Sequence, residues 1–182
     1  VTITLRNASG QPIKDIQPVY SVTGLNNKYE TYNSESQGTL LKTNYEGKTY
    51  LAIASTTAEK KKVTITANGV KLYQEPEIIF AADDPVKMNL YSGNNQVGIA
   101  GQELGQNLQV QLFDKNNNLV SGKSVTFKIN QAPSGASGHG IVNGSSVVGT
   151  LNVITASNGI ASVKVKLGNK IDTIYNARTV GK

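Results

Sequence analysis

Apolar and polar residues alternate with a period of two in several short stretches of this chain. The clearest examples are Val1–Leu5, Val63–Ala67 and Val163–Leu167. This period places the apolar side chains on one face of a strand and the polar side chains on the other. Turn-forming pairs such as Asn68-Gly69 and Asn158-Gly159 separate these stretches, and no window has helical spacing with a cap. The pattern therefore predicts an all-β chain.

Two parts of the chain repeat the same plan. Val1–Val22 aligns without gaps on Leu108–Ile129, with apolar residues matched and a turn-forming cluster in the same place. Thr43–Ser55 aligns in the same way on Thr155–Leu167. Two copies of one strand-turn-strand pattern predict two tandem immunoglobulin-like antiparallel β-sandwiches. We place the junction near Pro85, which stiffens a short linker.

The two copies differ at their ends. The second carries the additional segment Asp84–Asn107 before the shared strand, and it stops soon after Ile174, where the first copy continues. We therefore expect a domain over 1–83 without its opening strand and a domain over 84–182 without its closing strand. A missing strand leaves backbone N–H and C=O groups free for strand addition. A fragment cut from a longer array of domains would explain the same difference.

Charge and composition exclude several kinds of site. The chain has 182 residues, no cysteine and one histidine, which excludes disulfides, thiolate catalysis and multi-histidine metal sites. The net charge of +6 comes from scarce acidic residues in the second copy, whose lysines stand singly without interleaved aromatic residues. We therefore predict no nucleic-acid binding, although a basic face still favours acidic glycans. No apolar run approaches the roughly 18 residues of a membrane-spanning helix, so we predict no membrane insertion by this segment.

The first copy contains the best candidates for a contact surface. Six of the eight tyrosines lie there, including Tyr29 and Tyr32 in a predicted polar loop. Exposed tyrosines are favoured at interfaces and sugar sites, although such a loop also folds back over a sandwich edge. The only basic run is interpreted as a charged loop that discourages pairing at a sheet edge. The predicted contact surface consists of Tyr29, Tyr32, Lys60, Lys61 and Lys62.

No group of residues predicts catalysis. His139 follows Ser137 in a loop rich in glycine and serine, which cannot hold a nucleophile and a base rigidly. The segment also lacks the spacing of a nucleophile elbow. The strand lysines alternate outward, so we expect no isopeptide bond to a buried lysine. We predict no catalytic residues, no cofactor and no enzymatic activity.

Two acidic segments are weighed as calcium sites. Asp114–Asn118 has the spacing that opens a calcium loop, but it lacks the glycine and the glutamate that complete one. Turn chemistry explains that spacing equally well. The pair Asp83–Asp84, together with Glu75 or Glu77, is a second option at the junction. We predict no metal site, and the junction remains open in this respect.

Several motifs resemble one family of repeats. They are the turns NASGQPI and DKNNNLV, the segments TNYEGKTYLAIAS and TASNGIASVKVKL, the strand VTITA, and the opening SGNNQVGIAGQELGQNLQVQLFD. Together they resemble the bacterial immunoglobulin-like group 1 repeats of the intimin and invasin adhesins. The resemblance implies a non-enzymatic β-sandwich segment outside the cell, on a bacterial surface. It also implies that the partners are other immunoglobulin-like domains, or surface glycans and proteins.

The resemblance favours a structural or adhesive segment that acts as a spacer or as a cell-adhesion module. The known binding tips of the family add a lectin-like domain with cysteines, and this chain has none. A different hypothesis is a subunit of a self-assembling surface fibre that uses donor-strand complementation. A third is an accessory module of a secreted polysaccharide enzyme, because such folds host many functions.

Overall fold

The computed structural model describes residues 1–30, 40–73 and 75–170. Within these ranges the chain forms sixteen strands and no helix. Every strand pair found there is antiparallel. The prediction of an all-β chain built from antiparallel strands is confirmed.

The chain divides into two compact units, unit 1 (Val1–Ala81) and unit 2 (Ala82–Lys182). The sequence places the junction two residues later, between 83 and 84. The difference has a physical reason, because Ala82 packs against the core of unit 2 and the Asp83 N–H donates to Asp114 of the same unit. The residues predicted to end the first domain are thus held by the second.

Unit 1 is organised around its longest strand, β6. This strand pairs with β2 through Val63–Thr66, with β8 through Lys60–Lys62, and with β7 at its end. Two further pairs, β1 with β4 and β3 with β5, complete the unit. The strands are β1 (Thr2–Thr4), β2 (Val19–Val22), β3 (Asn27–Glu30), β4 (Lys48–Tyr50), β5 (Ala52–Ser55), β6 (Lys60–Ala67), β7 (Val70–Lys71) and β8 (Glu77–Ile79).

Unit 2 contains a three-stranded sheet in which β10 lies between β9 and β15. A second sheet has the order β13-β12-β16, and β11 pairs with β14. The strands are β9 (Lys87–Ser92), β10 (Leu108–Phe113), β11 (Ser124–Lys128), β12 (Gly140–Asn143), β13 (Ser146–Val148), β14 (Thr150–Ile154), β15 (Ile160–Val163) and β16 (Val165–Lys166).

Each unit has its own core between its sheets, built from the apolar positions of the alternating strands. The core of unit 1 is formed by Ile3, Tyr20, Leu40, Leu51, Val63 and Ile65. The core of unit 2 is formed by Leu108, Val110, Leu112, Val120, Val125, Phe127, Ile141, Ala161, Val163 and Val165. Sheets that share a core in this way make β-sandwiches.

A turn network of hydrogen bonds recurs at matching positions in the two units. The Leu5 N–H donates to the Gly47 carbonyl at 2.8 Å, and the matching Leu112 N–H donates to the Gly159 carbonyl at 2.9 Å. The hydroxyl of Thr43 donates to the carbonyl of Ile13. These contacts fix β1 of unit 1 and the matching strand β10 of unit 2, each against the turn that follows the later threonine.

The matching threonine and the first turn complete this correspondence. The hydroxyl of Thr155 donates to the carbonyl of Val120 in unit 2, as Thr43 does in unit 1. In the first turn, the Asn7 side-chain oxygen accepts two backbone N–H groups, and an Asp114 carboxylate oxygen accepts the two matching ones. Sequence alignment and hydrogen bonding therefore pair the same residues.

Gly47 provides a test of this network. Its φ is +72°, and a Cβ built on it would lie 2.4 Å from the Leu5 carbonyl oxygen. We expect Gly47→Ala to lower the free energy of unfolding of unit 1 by about 2 kcal/mol, since it adds a steric clash to the left-handed strain. Gly10 has a φ of +77° in open space, so Gly10→Ala should cost about 1 kcal/mol. Urea denaturation of both variants makes the comparison, and equal losses would contradict it.

Candidate contact surface

The basic run lies in a strand, which corrects the prediction of a loop. Lys60, Lys61 and Lys62 open β6 and pair with Ile79, Ile78 and Glu77 of β8, respectively. The prediction that these lysines discourage edge pairing is also wrong, because this stretch pairs along its length. The physical reason is that the adjacent acid Glu77 offsets the positive charge.

Lys61 is the central finding of this region, because its side chain is fully buried. Its ammonium group donates to the carbonyl of Leu25 at 2.8 Å and to Glu59 at 2.6 Å. It also lies 5.6 Å from the centre of the Phe80 ring, in the geometry of a cation–π contact. A buried cation needs such partners, and here a carbonyl, a carboxylate and an aromatic face provide them.

The strand period explains why Lys61 is inside. Side chains two apart on a strand share a face, so Lys61 lies on the same side as the core residues Val63 and Ile65. Two predictions are therefore corrected: Lys61 does not belong to a contact surface, and not every strand lysine points outward. Its amine donates to a main-chain carbonyl and to a carboxylate. Neither partner is an asparagine side chain, the group with which a lysine forms an isopeptide bond.

Glu59 links the buried lysine to the neighbouring loop. Its carboxylate accepts the hydrogen bond from Lys61 and also the backbone N–H of Leu25 at 2.6 Å. The hydrogen bond from Lys61 is the largest of the effects that lower the pKa of Glu59 from its ordinary value, followed by that from Leu25. The loop that joins β2 to β3 is therefore tied to the start of β6 by charge as well as by packing.

Lys60 and Lys62 remain exposed on the outer face of β6. Both form ion pairs with Glu77 of β8, the pair with Lys62 at 3.8 Å. The hydrogen bond from Lys60 is the main cause that lowers the pKa of Glu77. One acid thus stands beside both exposed amines, so the run presents less positive charge than its sequence suggests.

Tyr29 lies in strand β3, which corrects its assignment to a polar loop. It is half-buried, and its ring meets the ring of Tyr20 edge-on with centres 5.2 Å apart. Packing against the unit 1 core explains this position. Tyr32 lies outside the described residues. The structure therefore brings Lys60 and Lys62 together on one exposed face and places Lys61 and Tyr29 against the core.

More exposed tyrosines lie elsewhere in unit 1. Tyr45 is 85% exposed and Tyr73 is 98% exposed. The ammonium of Lys14 lies 5.4 Å from the centre of the Tyr45 ring. Both tyrosines occupy turns between strands, where composition gave no reason to prefer them over Tyr29 or Tyr32. Gly47 and Gly69 lie near these two tyrosines and have positive φ values. Glycines of this kind indicate turns, so they were the evidence in the sequence that Tyr45 and Tyr73 are exposed.

The Asp114–Asn118 segment forms a turn in which the carboxylate accepts hydrogen bonds. One carboxylate oxygen of Asp114 accepts the N–H groups of Asn116 and Asn118, each at 2.8 Å. The other accepts the Asn118 side-chain amide at 2.8 Å and the Asp83 N–H at 3.1 Å. Burial raises the pKa of Asp114, and these hydrogen bonds outweigh that effect and lower it. The spacing is thus explained by turn chemistry.

The other acidic residues considered for calcium form ion pairs. Asp83 pairs with Lys115 at 3.0 Å, and Asp84 pairs with Lys123 at 2.6 Å. Glu75 accepts a hydrogen bond from Thr64 and pairs with a lysine of β7. In the described ranges, no three acidic, histidine or cysteine side chains gather closely enough to hold a metal ion.

No described residue holds the imidazole of His139 through its Nδ1. Its Nδ1 is buried and has no hydrogen-bond partner among the residues described. Ser137, two residues earlier, exchanges hydrogen bonds through its backbone with Asn169. A general base needs a partner on its second nitrogen, which this arrangement does not provide in the described part of the chain. The described residues also contain no helix with the length and apolar character that crossing a membrane requires.

Comparisons with known proteins give two similar solved structures. Adhesin InvE of Yersinia pseudotuberculosis is 18% identical, with a TM-score of 0.39, over 91% of this chain and 45% of that one. Domains 5–6 of the S-layer protein SbsC are 12% identical, with a TM-score of 0.33, over 95% of this chain and 88% of that one. This chain thus spans less than half of the InvE chain. No family model and no curated protein matches.

Proposed function

We propose that this chain is a non-enzymatic structural or adhesive segment of a bacterial surface protein of the intimin and invasin type. In this proposal it lies outside the cell and acts as a spacer or as a cell-adhesion module. Its partners are other immunoglobulin-like domains of the same or neighbouring chains, or glycans and proteins of a host or bacterial surface. The adhesin motifs quoted from the sequence support this proposal.

The observation that carries the proposal is the turn network that recurs in both units. A chain that repeats one module in tandem extends a surface protein by adding similar units. The connection between the units here is short. Phe80 donates its N–H to Glu59 in unit 1, and Ala82 packs in unit 2, so only Ala81 lies between anchored residues. Such a connection suits a spacer better than a flexible tether.

The sheets of unit 2 carry rows of uncharged polar side chains that are hydrogen-bonded to one another. Ser92 donates to Gln109, whose amide donates to Ser162 across three strands. In the β11–β14 pair, Thr126 donates to Asn152. These uncharged polar rows, together with exposed Lys60 and Lys62, form the surfaces that we propose contact glycans or proteins.

Labelling of intact bacteria tests the proposed location. Antibodies raised against the 182-residue protein should bind intact cells that produce the parent protein, and brief trypsin treatment of those cells should remove the epitope. A cytoplasmic protein of the same cells serves as the control for lysis. Labelling that requires permeabilised cells would contradict the proposal.

Electron microscopy of the purified protein should show two beads per particle.

The second candidate function that we propose is a subunit of a self-assembling surface fibre, in which one copy donates a strand to the next. Filaments that grow with protein concentration would favour this candidate, whereas particles of constant size at all concentrations would favour the spacer.

A further inference from the structure

We propose that Asn68 is a site of spontaneous covalent modification, at which its side-chain amide is converted to a carboxylate through a cyclic imide. Asn-Gly pairs favour this reaction, because glycine has no Cβ to hinder attack by its backbone nitrogen. The described residues contain three such pairs, Asn68-Gly69, Asn143-Gly144 and Asn158-Gly159. The structure distinguishes the first pair from the other two. This inference goes beyond the surface-segment proposal and does not depend on it.

The reaction needs only water and the two residues of the pair. The backbone nitrogen of Gly69 loses its proton to hydroxide and attacks the side-chain carbonyl carbon, Cγ, of Asn68. A C–N bond forms there, the bond from Cγ to the side-chain nitrogen breaks, and that nitrogen takes a proton from water and leaves as ammonia. Water then adds to either carbonyl of the five-membered ring and opens it to aspartate or isoaspartate. The net change is the uptake of one water and the loss of one ammonia.

The reacting groups of Asn68 and Gly69 are accessible. The two residues form the exposed tip of the hairpin that joins β6 to β7, and a Cβ built on Gly69 would have no atom within 4 Å. Among the residues that the structure describes, neither the Asn68 side chain nor the Gly69 N–H takes part in a hydrogen bond. Water and hydroxide therefore reach both the attacking nitrogen and the carbon that it attacks.

Ring closure also requires Asn68 to rotate out of its turn conformation, in which φ is +49°. The hairpin must open for this rotation, and β7 is suited to opening. It has two residues, both exposed, and it ends the sheet order β2-β6-β7 found in the described residues. A short exposed strand at the end of a sheet opens at a low cost in free energy.

Asn158-Gly159 is the opposite case, although its sequence is the same. The Gly159 N–H donates to the carbonyl of Ala156 at 2.9 Å, and the Gly159 carbonyl accepts the N–H of Leu112. The side-chain oxygen of Asn158 accepts the N–H of Ile160 at 3.1 Å. Gly159 is also buried. The attacking nitrogen is therefore engaged until the turn network of unit 2 breaks.

Asn143-Gly144 lies between these two cases. Both residues are exposed, and a Cβ built on Gly144 would have no atom within 4 Å. However, Asn143 ends β12, which lies between β13 and β16 and carries the buried Ile141. The hydroxyl of Ser146 also donates to the Asn143 carbonyl at 3.1 Å. Opening disturbs a central strand here, so we expect a slower reaction than at Asn68.

The modification changes the hairpin in two ways. Both products replace a neutral amide with a carboxylate, which lowers the formal net charge of +6 by one. Isoaspartate also routes the main chain through the former side chain, which adds one backbone carbon to the two-residue turn between Ala67 and Val70. The length of such a turn fixes the register of its strands. Isoaspartate at this position should therefore release β7 from β6.

Peptide mapping by mass spectrometry tests the proposal on the 182-residue protein after several days at mildly alkaline pH. Trypsin releases Asn68 in the peptide 63–71, which contains no other asparagine or glutamine, and the modification adds about 1 Da to it. We expect Asn68 to react about tenfold faster than Asn158 or more, because the protected turn must open first. Equal rates at Asn68 and Asn158, or a faster reaction at Asn143 than at Asn68, would overturn the proposal.

Two matched experiments separate the effect of the fold from that of the sequence. In guanidinium chloride no turn protects any pair, so the three asparagines should react within about twofold of one another. A tenfold difference that persists there would overturn the structural origin of the selectivity. Gly69→Ala places a methyl group beside the attacking nitrogen, so it should slow the reaction at Asn68 severalfold and leave Asn158 unchanged. An unchanged rate at Asn68 in this variant would contradict attack by the backbone nitrogen of residue 69.

Discussion

Replacing Lys61 with alanine should lower the free energy of unfolding of unit 1 by about 4 kcal/mol, at the upper end of large-to-small core substitutions. The change removes a fully buried side chain together with its bonds to Leu25 and Glu59 and its contact with Phe80. Urea denaturation monitored by circular dichroism measures the loss. The sequence alone would assign this residue to a solvated charge cluster and predict almost no effect.

Two other variants separate burial from charge. Lys60→Ala, one residue earlier on the exposed face, should change stability by no more than about 0.5 kcal/mol. Lys61→Met keeps the buried stem and removes the charge, so we expect it to be clearly more stable than Lys61→Ala. If the alanine variants of Lys60 and Lys61 were equally stable, the burial of the Lys61 side chain would be contradicted.

Asp114→Ala should destabilise unit 2 by about 3 kcal/mol. The substitution leaves the N–H groups of Asn116, Asn118 and Asp83 without the carboxylate that accepts them. Asp114→Asn is the matched variant, because Asn7 holds the corresponding turn of unit 1 with one amide oxygen. We expect Asp114→Asn to lower the free energy of unfolding by about half as much as Asp114→Ala does. Equal losses for the two variants would contradict the matching of the turns.

The same carboxylate predicts a pH dependence. Its pKa in the folded protein lies below the ordinary aspartate value of 3.8, because hydrogen bonds to the ionised form outweigh the effect of burial. A lowered pKa contributes stability above the value in the unfolded chain, and the contribution is lost as the pH falls through the folded value. The stability advantage of the wild type over Asp114→Asn should therefore be constant near pH 7 and shrink below about pH 4. An advantage that is unchanged at pH 2 would contradict this origin.

The sequence was sufficient for the features that depend on local pattern. Alternation in stretches such as Val63–Ala67 predicted strands, and the alignment of Thr43–Ser55 on Thr155–Leu167, which matches Gly47 with Gly159, predicted that one strand-turn-strand pattern recurs. Both glycines have a φ near +70°, a conformation that other residues adopt only with strain. Local chemistry fixes these features, so they are visible without tertiary contacts.

The environments of the candidate site residues depend on contacts between residues far apart in the sequence. The sequence pattern did not predict these contacts. Lys61 contacts Leu25 and Phe80, which no local pattern connects to it. The period of two could have placed Lys61 inside, had it been extended back from Val63 through the basic run. Tyr29 is covered by Tyr20 of another strand, so its polar neighbours in the sequence gave the wrong environment.

The single unanchored residue between the units has a mechanical consequence. One residue of extended chain spans at most about 3.6 Å, so the segment at Ala81 stores almost no slack. A tensile load on the polypeptide therefore passes directly from the hydrogen bonds of one sandwich to those of the next. Between the described strands on either side of Ala81, the chain lengthens appreciably only after strands separate, so resistance to stretching there is set by the pairing of β8 with β6 and of β9 with β10.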